Sequence, residues 1–113
     1  MTSKILDIVT SAIDERLGED IVVLDFRNHS PFCDYFVIAT ALNNRMAKSI
    51  VDRIEEKMHD AKETIHSIEG NEDSNWQLID CNEVVAHIFV GGERQIYQLE
   101  RLWGDLPRVE VKL

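Results

Sequence analysis

The sequence predicts a small α/β domain in which helices cover a mixed β-sheet. Three observations predict it: helical and extended apolar patterns alternate along the chain, two segments are apolar on both faces as buried strands are, and two further strand patterns are joined by a short turn. The length of 113 residues and an apolar content of 44%, with no linker-like tract or internal repeat, predict one domain over residues 1–113. A short tail is expected to begin near Pro107.

The first predicted element is a helix at the start of the chain. Its apolar residues recur at spacings of three, four and seven between Ile5 and Leu17, which places them in one stripe. Ser3 is a candidate N-cap. Gly18 is expected at the C′ position, where the left-handed backbone conformation favours glycine.

Two central strands and a long helix are predicted next. Residues 21–26 and 35–41 are apolar on both alternating faces, so we expect them to lie side by side in the interior of the sheet. Asn43 or Asn44 can cap the helix that follows. Its apolar stripe ends at Met58, and charged residues on its other faces indicate that one side is in solvent.

The next predicted elements are an edge strand and a hairpin. Residues 64–68 have a weak, polar strand pattern that suits the edge of a sheet, and the strand-helix-strand step from residue 35 to residue 68 predicts a right-handed parallel crossover. Residues 76–81 and 84–90 form the clearest hairpin, which turns at Asn82-Glu83, where asparagine tolerates a positive φ.

The chain is predicted to end with a helix and an extended tail. Gly91-Gly92 opens the helix, whose apolar residues run to Trp103, and Gly104 closes it. In the tail, Val109, Val111 and Leu113 alternate with charged residues, as in a short strand.

Charge and composition limit the classes of partner. The chain has 12 Lys and Arg against 21 Asp and Glu, a formal net charge of -9. An acidic surface repels phosphate backbones, so nucleic acid would be reached only through a partner or a local basic patch. No apolar run approaches the roughly 18–20 residues that cross a bilayer, and the first residues resemble no targeting signal. We therefore expect a cytoplasmic protein without a membrane partner or direct sequence-specific binding of nucleic acid.

Few residue patterns point to catalysis. The five glycines form no phosphate-binding motif, and Asp25, Asp34 and Asp80 each lack the second carboxylate, two residues away on the same strand, that two-metal sites use. The cysteines and histidines lack the spacing of a zinc site, so no metal or cofactor is predicted. Cys33 and His87 can be drawn as a thiol nucleophile and its base. A loop thiol and a hydrogen-bonded strand histidine fit the same residues.

The strand that begins at Trp76 mixes aromatic and polar side chains. Alternation places Trp76, Leu78 and Asp80 on one side of this strand. A tryptophan at the start of a hairpin is typical of a partner surface, because an indole buries a large area at a small cost in entropy. A tryptophan that packs beneath a helix gives the same pattern, and the sequence leaves both interpretations open.

Four blocks of sequence occur in a fixed order along the chain. They are residues 34–40, residues 69–70 with 76–80, residues 84–89, and residues 94–103. Together, from about Ile5 to Asp105, they resemble the ribosomal silencing factor family, RsfS, also called Iojap or YbeB.

The resemblance implies a fold and a function. The implied fold is nucleotidyltransferase-like but without transferase chemistry, so no enzyme activity and no cofactor are expected. The implied function is repression of translation: the protein binds the fourteenth protein of the large ribosomal subunit and sterically blocks joining of the small subunit. Positions that match the family assign the partner-binding role to Trp76, Leu78, Asp80, Arg94 and Tyr97. A homodimer in solution is also implied.

Two other functions stay open on the residues alone. One is an enzyme, either a divergent nucleotidyltransferase or a thiol-dependent hydrolase. The other is a dimeric adaptor for a basic protein unrelated to ribosomes. The first would turn over a nucleotide or another substrate, and the second would capture a protein that is not part of the large subunit.

Overall fold

A mixed β-sheet and two helices make up the part of the chain that the structure describes. The computed structural model describes residues 4–27, 33–70, 75–91 and 108–109. Its elements are α1 (Lys4–Glu15), β1 (Glu19–Asp25), β2 (Tyr35–Ala41), α2 (Asn44–Asp60), β3 (Ser67–Glu69), β4 (Trp76–Asp80), β5 (Val84–Val90) and β6 (Arg108–Val109). The predicted class, a small mixed sheet covered by helices, is confirmed. The nucleotidyltransferase-like topology that the resemblance implies stays a prediction.

The six strands form one sheet in the order β3-β4-β5-β2-β1-β6. β2 and β5 pair in parallel, and the other described neighbours pair antiparallel. The prediction that β1 and β2 lie side by side is confirmed. The parallel direction predicted for the crossover is confirmed, because β3 runs in the same direction as β2, although β5 and β4 lie between them. β5 is apolar on both faces and takes the central position, whereas the polar β3 lies at the edge.

Both described helices pack on one face of the sheet. Their apolar stripes join inward residues of the central strands, such as Val37 and Ala86, in the larger of two buried clusters. Glu15 of α1 forms ion pairs with Arg53 at 2.8 Å and Lys57 at 3.1 Å, both on α2. The two helices are therefore joined at their solvent side as well as through the core.

A side-chain cap begins α2. The Asn43 side chain accepts a hydrogen bond from the backbone N–H of Met46 at 2.8 Å, so Asn43, of the two candidates, is the N-cap. Within the described residues, neither helix is long and apolar enough to cross a membrane.

The opposite face of the sheet carries a second, smaller cluster. Its buried members are Leu24, Phe26, Cys33, Ile38 and Phe89, and partly buried side chains surround them, namely Val22, Phe36, Trp76 and Val85. The helix predicted from Gly91 to Trp103 lies outside the described residues, except for Gly91 itself. Of the residues predicted to form the tail strand, Val109 lies in β6, which pairs with β1, whereas Val111 and Leu113 lie outside the described residues.

The end of α1 corrects the prediction for Gly18. The backbone N–H of Gly18 donates to Ile13 O at 2.8 Å and that of Leu17 donates to Asp14 O at 3.0 Å, which is the Schellman pattern. Leu17, with φ of 63°, therefore occupies C′, and Gly18 is the residue after it. Glycine is required at position 18 by space, since a Cβ there would collide with the side chain of Ile13.

Two strand boundaries also differ from prediction. β1 begins at Glu19 rather than at residue 21, because Glu19 pairs with Thr40 of β2. The positive φ of Asp20, 52°, lies within the irregularity where the register shifts between Glu19 and Val22. β3 covers residues 67–69 instead of 64–68, because its register is set by pairing with β4. Neither effect is visible in an apolar pattern, since both depend on a neighbouring strand.

A histidine is buried in the sheet on the side opposite the helices. His87 of β5 is only 4% exposed, and this burial lowers the pKa of His87 from 6.5 to about 4. The folded protein therefore holds this imidazole neutral at any pH well above 4.

The first prediction concerns the end of α1. Leu17→Gly should raise the free energy of unfolding by about 1 kcal/mol, because a left-handed leucine costs about 1–2 kcal/mol and the greater freedom of glycine in the unfolded chain offsets only part of this. Gly18→Ala should lower the free energy of unfolding, because the added Cβ meets Ile13. Urea unfolding measures both, and a stabilising Gly18→Ala would contradict this account.

The second prediction concerns the pH dependence of stability. Between pH 6.5 and about 4 the unfolded chain binds a proton at His87 that the folded chain does not, so stability should fall as the pH falls through this window. The loss is on the order of 3 kcal/mol once the pH reaches the folded pKa. Urea unfolding at a series of pH values tests it, with His87→Asn as the control, since that variant lacks the titrating group. Identical pH dependence in the two proteins would contradict the prediction.

Candidate functional site

The candidate site lies on the face of the sheet opposite α1 and α2, which we call the second face. Strand alternation and register define it: Leu78 lies opposite His87 on β4 and β5, Trp76 lies opposite Phe89, and His87 lies opposite Ile38 of β2. A hydrophobic and aromatic surface thus runs across three strands at the centre of the sheet.

Trp76, Leu78 and Asp80 lie in one row on the second face, as the alternation predicts. All three are partly buried, whereas Gln77 and Ile79 between them are buried on the helix side. The structure therefore brings three of the five predicted partner-binding residues together. The other two, Arg94 and Tyr97, lie outside the described residues, and their place on this surface stays a prediction.

Trp76 is both anchored and accessible. Its ring stacks on Phe89 with centroids 5.3 Å apart and an angle of 22° between the planes. Its indole Nε1–H donates a hydrogen bond to His87 Nδ1 at 3.1 Å. One side of the indole is thus packed against the sheet while part of it stays accessible. Trp76 does not pack beneath α1 or α2, because it lies on the opposite face of the sheet, and its contact with a partner stays a prediction.

His87 occupies the centre of the second face. Its ring centroid lies 4.7 Å from that of Phe36 and 5.7 Å from that of Trp76. Sequence reasoning left the place of His87 open and did not select Phe36. The alternation within β2 could have identified Phe36, because it falls on the opposite side from Tyr35 and Val37.

Asp80 is the last residue of the row on β4, and its carboxylate stabilises the hairpin turn. Its Oδ1 accepts a hydrogen bond from the backbone N–H of Asn82 at 2.9 Å, and Asn82 has the positive φ, 70°, that the sequence predicted for this turn. The register of β3 with β4 puts the exposed Glu69 opposite Leu78 on the same face. Asp80 and Glu69 therefore give the aromatic surface an acidic margin.

The structure does not support a catalytic pair formed by the Cys33 thiol and the His87 imidazole. His87 Nδ1 accepts the indole hydrogen bond, and within the described ranges His87 Nε2 has no hydrogen-bond partner, so the Cys33 thiol is not bonded to this ring. Cys33 is buried in the smaller cluster. Burial, with a contribution from the neighbouring Asp80, raises the pKa of the Cys81 thiol to about 12, which keeps it protonated and unreactive.

The aspartates and histidines do not form a metal centre in the described part of the chain. No group of three His, Cys, Asp or Glu residues there is arranged to hold an ion. Asp25 instead forms an ion pair with Arg27 at 2.7 Å, and Asp80 holds the turn.

Known proteins are similar to this chain over most of its length. The profile of the family described as ribosomal silencing factor during starvation matches residues 2–113. The ribosomal silencing factor RsfS of Bacillus subtilis is 34% identical over 107 residues, which are 95% of this chain and 91% of that protein. A crystal structure of a Chromobacterium violaceum protein matches with a TM-score of 0.85 at 30% identity, covering 89% of this chain and 84% of the other.

A more distant relative carries a name that refers to the large subunit. The mouse protein called mitochondrial assembly of ribosomal large subunit protein 1 is 26% identical over 101 residues, which are 87% of this chain and 44% of that protein. Taken with the family profile across residues 2–113, these likenesses show that the chain belongs to the ribosomal silencing factor family, whose role is ribosome-associated silencing of translation.

Proposed function

We propose that this protein binds the large ribosomal subunit through the subunit's fourteenth protein and thereby prevents the small subunit from joining. The observation that supports this most directly is the row of Trp76, Leu78 and Asp80 on the second face, with the indole held by a hydrogen bond and a ring stack. A repressor that acts by occupying a surface needs such a preformed contact and needs no catalysis. It would act in the cytoplasm, where ribosomal subunits meet.

Apolar contact supplies most of the expected affinity. Trp76, Leu78, Phe36 and Val85 are partly buried on the second face, so a partner that covers them removes further apolar area from water. Aromatic anchors of this kind dominate the energetics of protein interfaces. Because the indole is already fixed, docking loses less side-chain entropy than it would with a mobile anchor.

Charge favours a basic protein over RNA as the direct partner. The net charge is -9, and Glu69 and Asp80 add local negative charge at the margin of the docking surface. Ribosomal proteins are commonly basic, and complementary charge accelerates encounter. The same acidic field repels phosphate backbones and so disfavours non-specific binding to ribosomal RNA.

Silencing by this route is a competition for the large subunit. The fraction of subunits blocked depends on the concentration of the factor relative to its dissociation constant and on the affinity of the two subunits for each other. The homodimer implied by the family resemblance would affect the same competition. A dimer that covers the second face would have to dissociate before docking.

Trp76→Ala tests the anchor. We expect binding to large subunits to weaken by about 2 kcal/mol, or about 30-fold, because the variant loses the largest apolar contact of the surface. Gradient sedimentation of ribosomal subunits with increasing amounts of protein measures both binding and exclusion of small subunits. Leu17→Ala is the matched control, since Leu17 is 70% exposed and follows α1, which packs on the opposite face of the sheet.

Two outcomes would contradict separate parts of the proposal. Normal anti-association by a folded Trp76→Ala variant would remove this residue from the site. Subunits that join equally well at saturating wild-type protein would overturn the proposed function itself, and capture of a basic protein from outside the ribosome would then favour the adaptor.

Asp80→Asn tests the role of charge. The amide keeps an oxygen that can accept from the backbone N–H of Asn82, so the turn is preserved while the negative charge is lost. We expect association with large subunits to slow by roughly twofold or more at low salt, and the difference from wild type to shrink at high salt. Asp14→Asn is the control, because it removes the same charge from the exposed side of α1. Equal slowing by both variants would show that only net charge matters.

A further inference from the structure

We infer that His87 is a positioning residue, which selects the one orientation of the Trp76 indole that the partner meets. The inference rests on the proposed function, since it assigns His87 a role in that docking surface. The contact that supports it is the hydrogen bond from Trp76 Nε1–H to His87 Nδ1 at 3.1 Å, made across the paired strands β4 and β5.

Ring stacking alone leaves the indole orientation undetermined. Trp76 lies on Phe89 with ring planes 22° apart, and a half-turn of the indole about its χ2 bond would keep the rings stacked while moving the N–H to the other side. A fixed acceptor favours the orientation that places the N–H beside it. His87 Nδ1 is that acceptor, so the edge that Trp76 presents outward depends on this bond.

The protonation of His87 suits an acceptor. Because Nδ1 accepts the indole N–H, the single proton of the neutral ring is on Nε2. Among the described residues, the side chains that ring contacts and strand register place beside the imidazole are uncharged, namely Phe36, Ile38, Trp76, Leu78 and Phe89. Burial lowers the pKa of His87 to about 4, so Nδ1 stays available as an acceptor at neutral pH.

The second ring nitrogen shows that folding alone does not account for a histidine here. His87 Nε2 is buried and, in the part of the chain that the structure describes, makes no hydrogen bond. A buried donor without an acceptor is destabilising. An apolar side chain of similar size would avoid this loss and fill the same space, so the useful feature of the histidine is the bond that Nδ1 accepts.

Two substitutions separate the acceptor from the packing. His87→Asn retains an acceptor oxygen near the position of Nδ1, whereas His87→Leu fills similar space with none. We expect His87→Leu to bind large subunits about five- to tenfold more weakly, because the indole must be ordered during docking. His87→Asn should stay close to wild type. The unfolding midpoint of His87→Leu should equal or exceed that of wild type, a result that a merely structural role would not give.

The free protein provides a second measurement. The indole N–H of Trp76, assigned by its loss in Trp76→Phe, should exchange slowly with solvent in wild type and in His87→Asn and rapidly in His87→Leu. Adding His87→Leu to Trp76→Phe should have no further effect on binding, because the phenylalanine has no N–H to orient.

The outcomes distinguish this inference from the proposed function. If wild type binds large subunits and a folded His87→Leu variant binds equally well, the positioning role is overturned while the proposed function stands. If wild type fails to bind, both fall together. Should His87→Leu not fold, His87→Gln replaces it, since its amide reaches toward the Nε2 position instead of Nδ1, and the same comparison with His87→Asn applies.

Discussion

The parallel pairing of β2 with β5 is the constraint on which the rest of the structure depends. Apart from Thr40 and His87, both strands are apolar on both faces, so most of each face of the sheet that they form favours burial. α1 and α2 cover one face and bury its larger cluster. The second face is apolar for the same reason, yet its outer members, such as Phe36 and Trp76, are only partly buried. The apolar surface that we propose for docking is thus a direct consequence of central strands that are largely apolar on both sides.

The second face also combines two requirements that usually conflict. A docking surface must offer apolar groups to a partner, while exposed apolar groups favour unspecific association. Here the exposure of Trp76 is limited by the ring of Phe89 and by the bond to His87, and the acidic Asp80 and Glu69 lie at its margin. Fixed geometry and surrounding charge therefore restrict which surfaces can cover it. The basic partner that we propose would satisfy both conditions.

Much of the fold could be predicted because it depends on local rules. The apolar pattern of residues 35–41 predicted β2, and the alternation along β4 placed Trp76 and Asp80 on the same side. The residues of the hairpin turn predicted the positive φ of Asn82. Leu17 could not be predicted at C′, because glycine is usually preferred at that position and Gly18 is adjacent. Gly18 is required instead because a Cβ there would collide with the side chain of Ile13, and this contact is visible only in the folded chain. The position of β3 likewise depends on pairing between strands that are separate in sequence.

The site shows the same division between local and long-range information. The common side of Trp76, Leu78 and Asp80 follows from the two-residue period of a strand. The way in which Trp76 is held depends on contacts from the neighbouring strand β5. His87 illustrates this: the register that places it beside Trp76 exists only after β4 and β5 pair, and the direction of the hydrogen bond depends on side-chain torsions that no residue pattern encodes. Because an unpaired Nε2–H within the described residues works against stability, the residue is better explained by what it does for its neighbour. A buried polar side chain whose second group is unsatisfied is therefore an indicator of function that only the folded chain reveals.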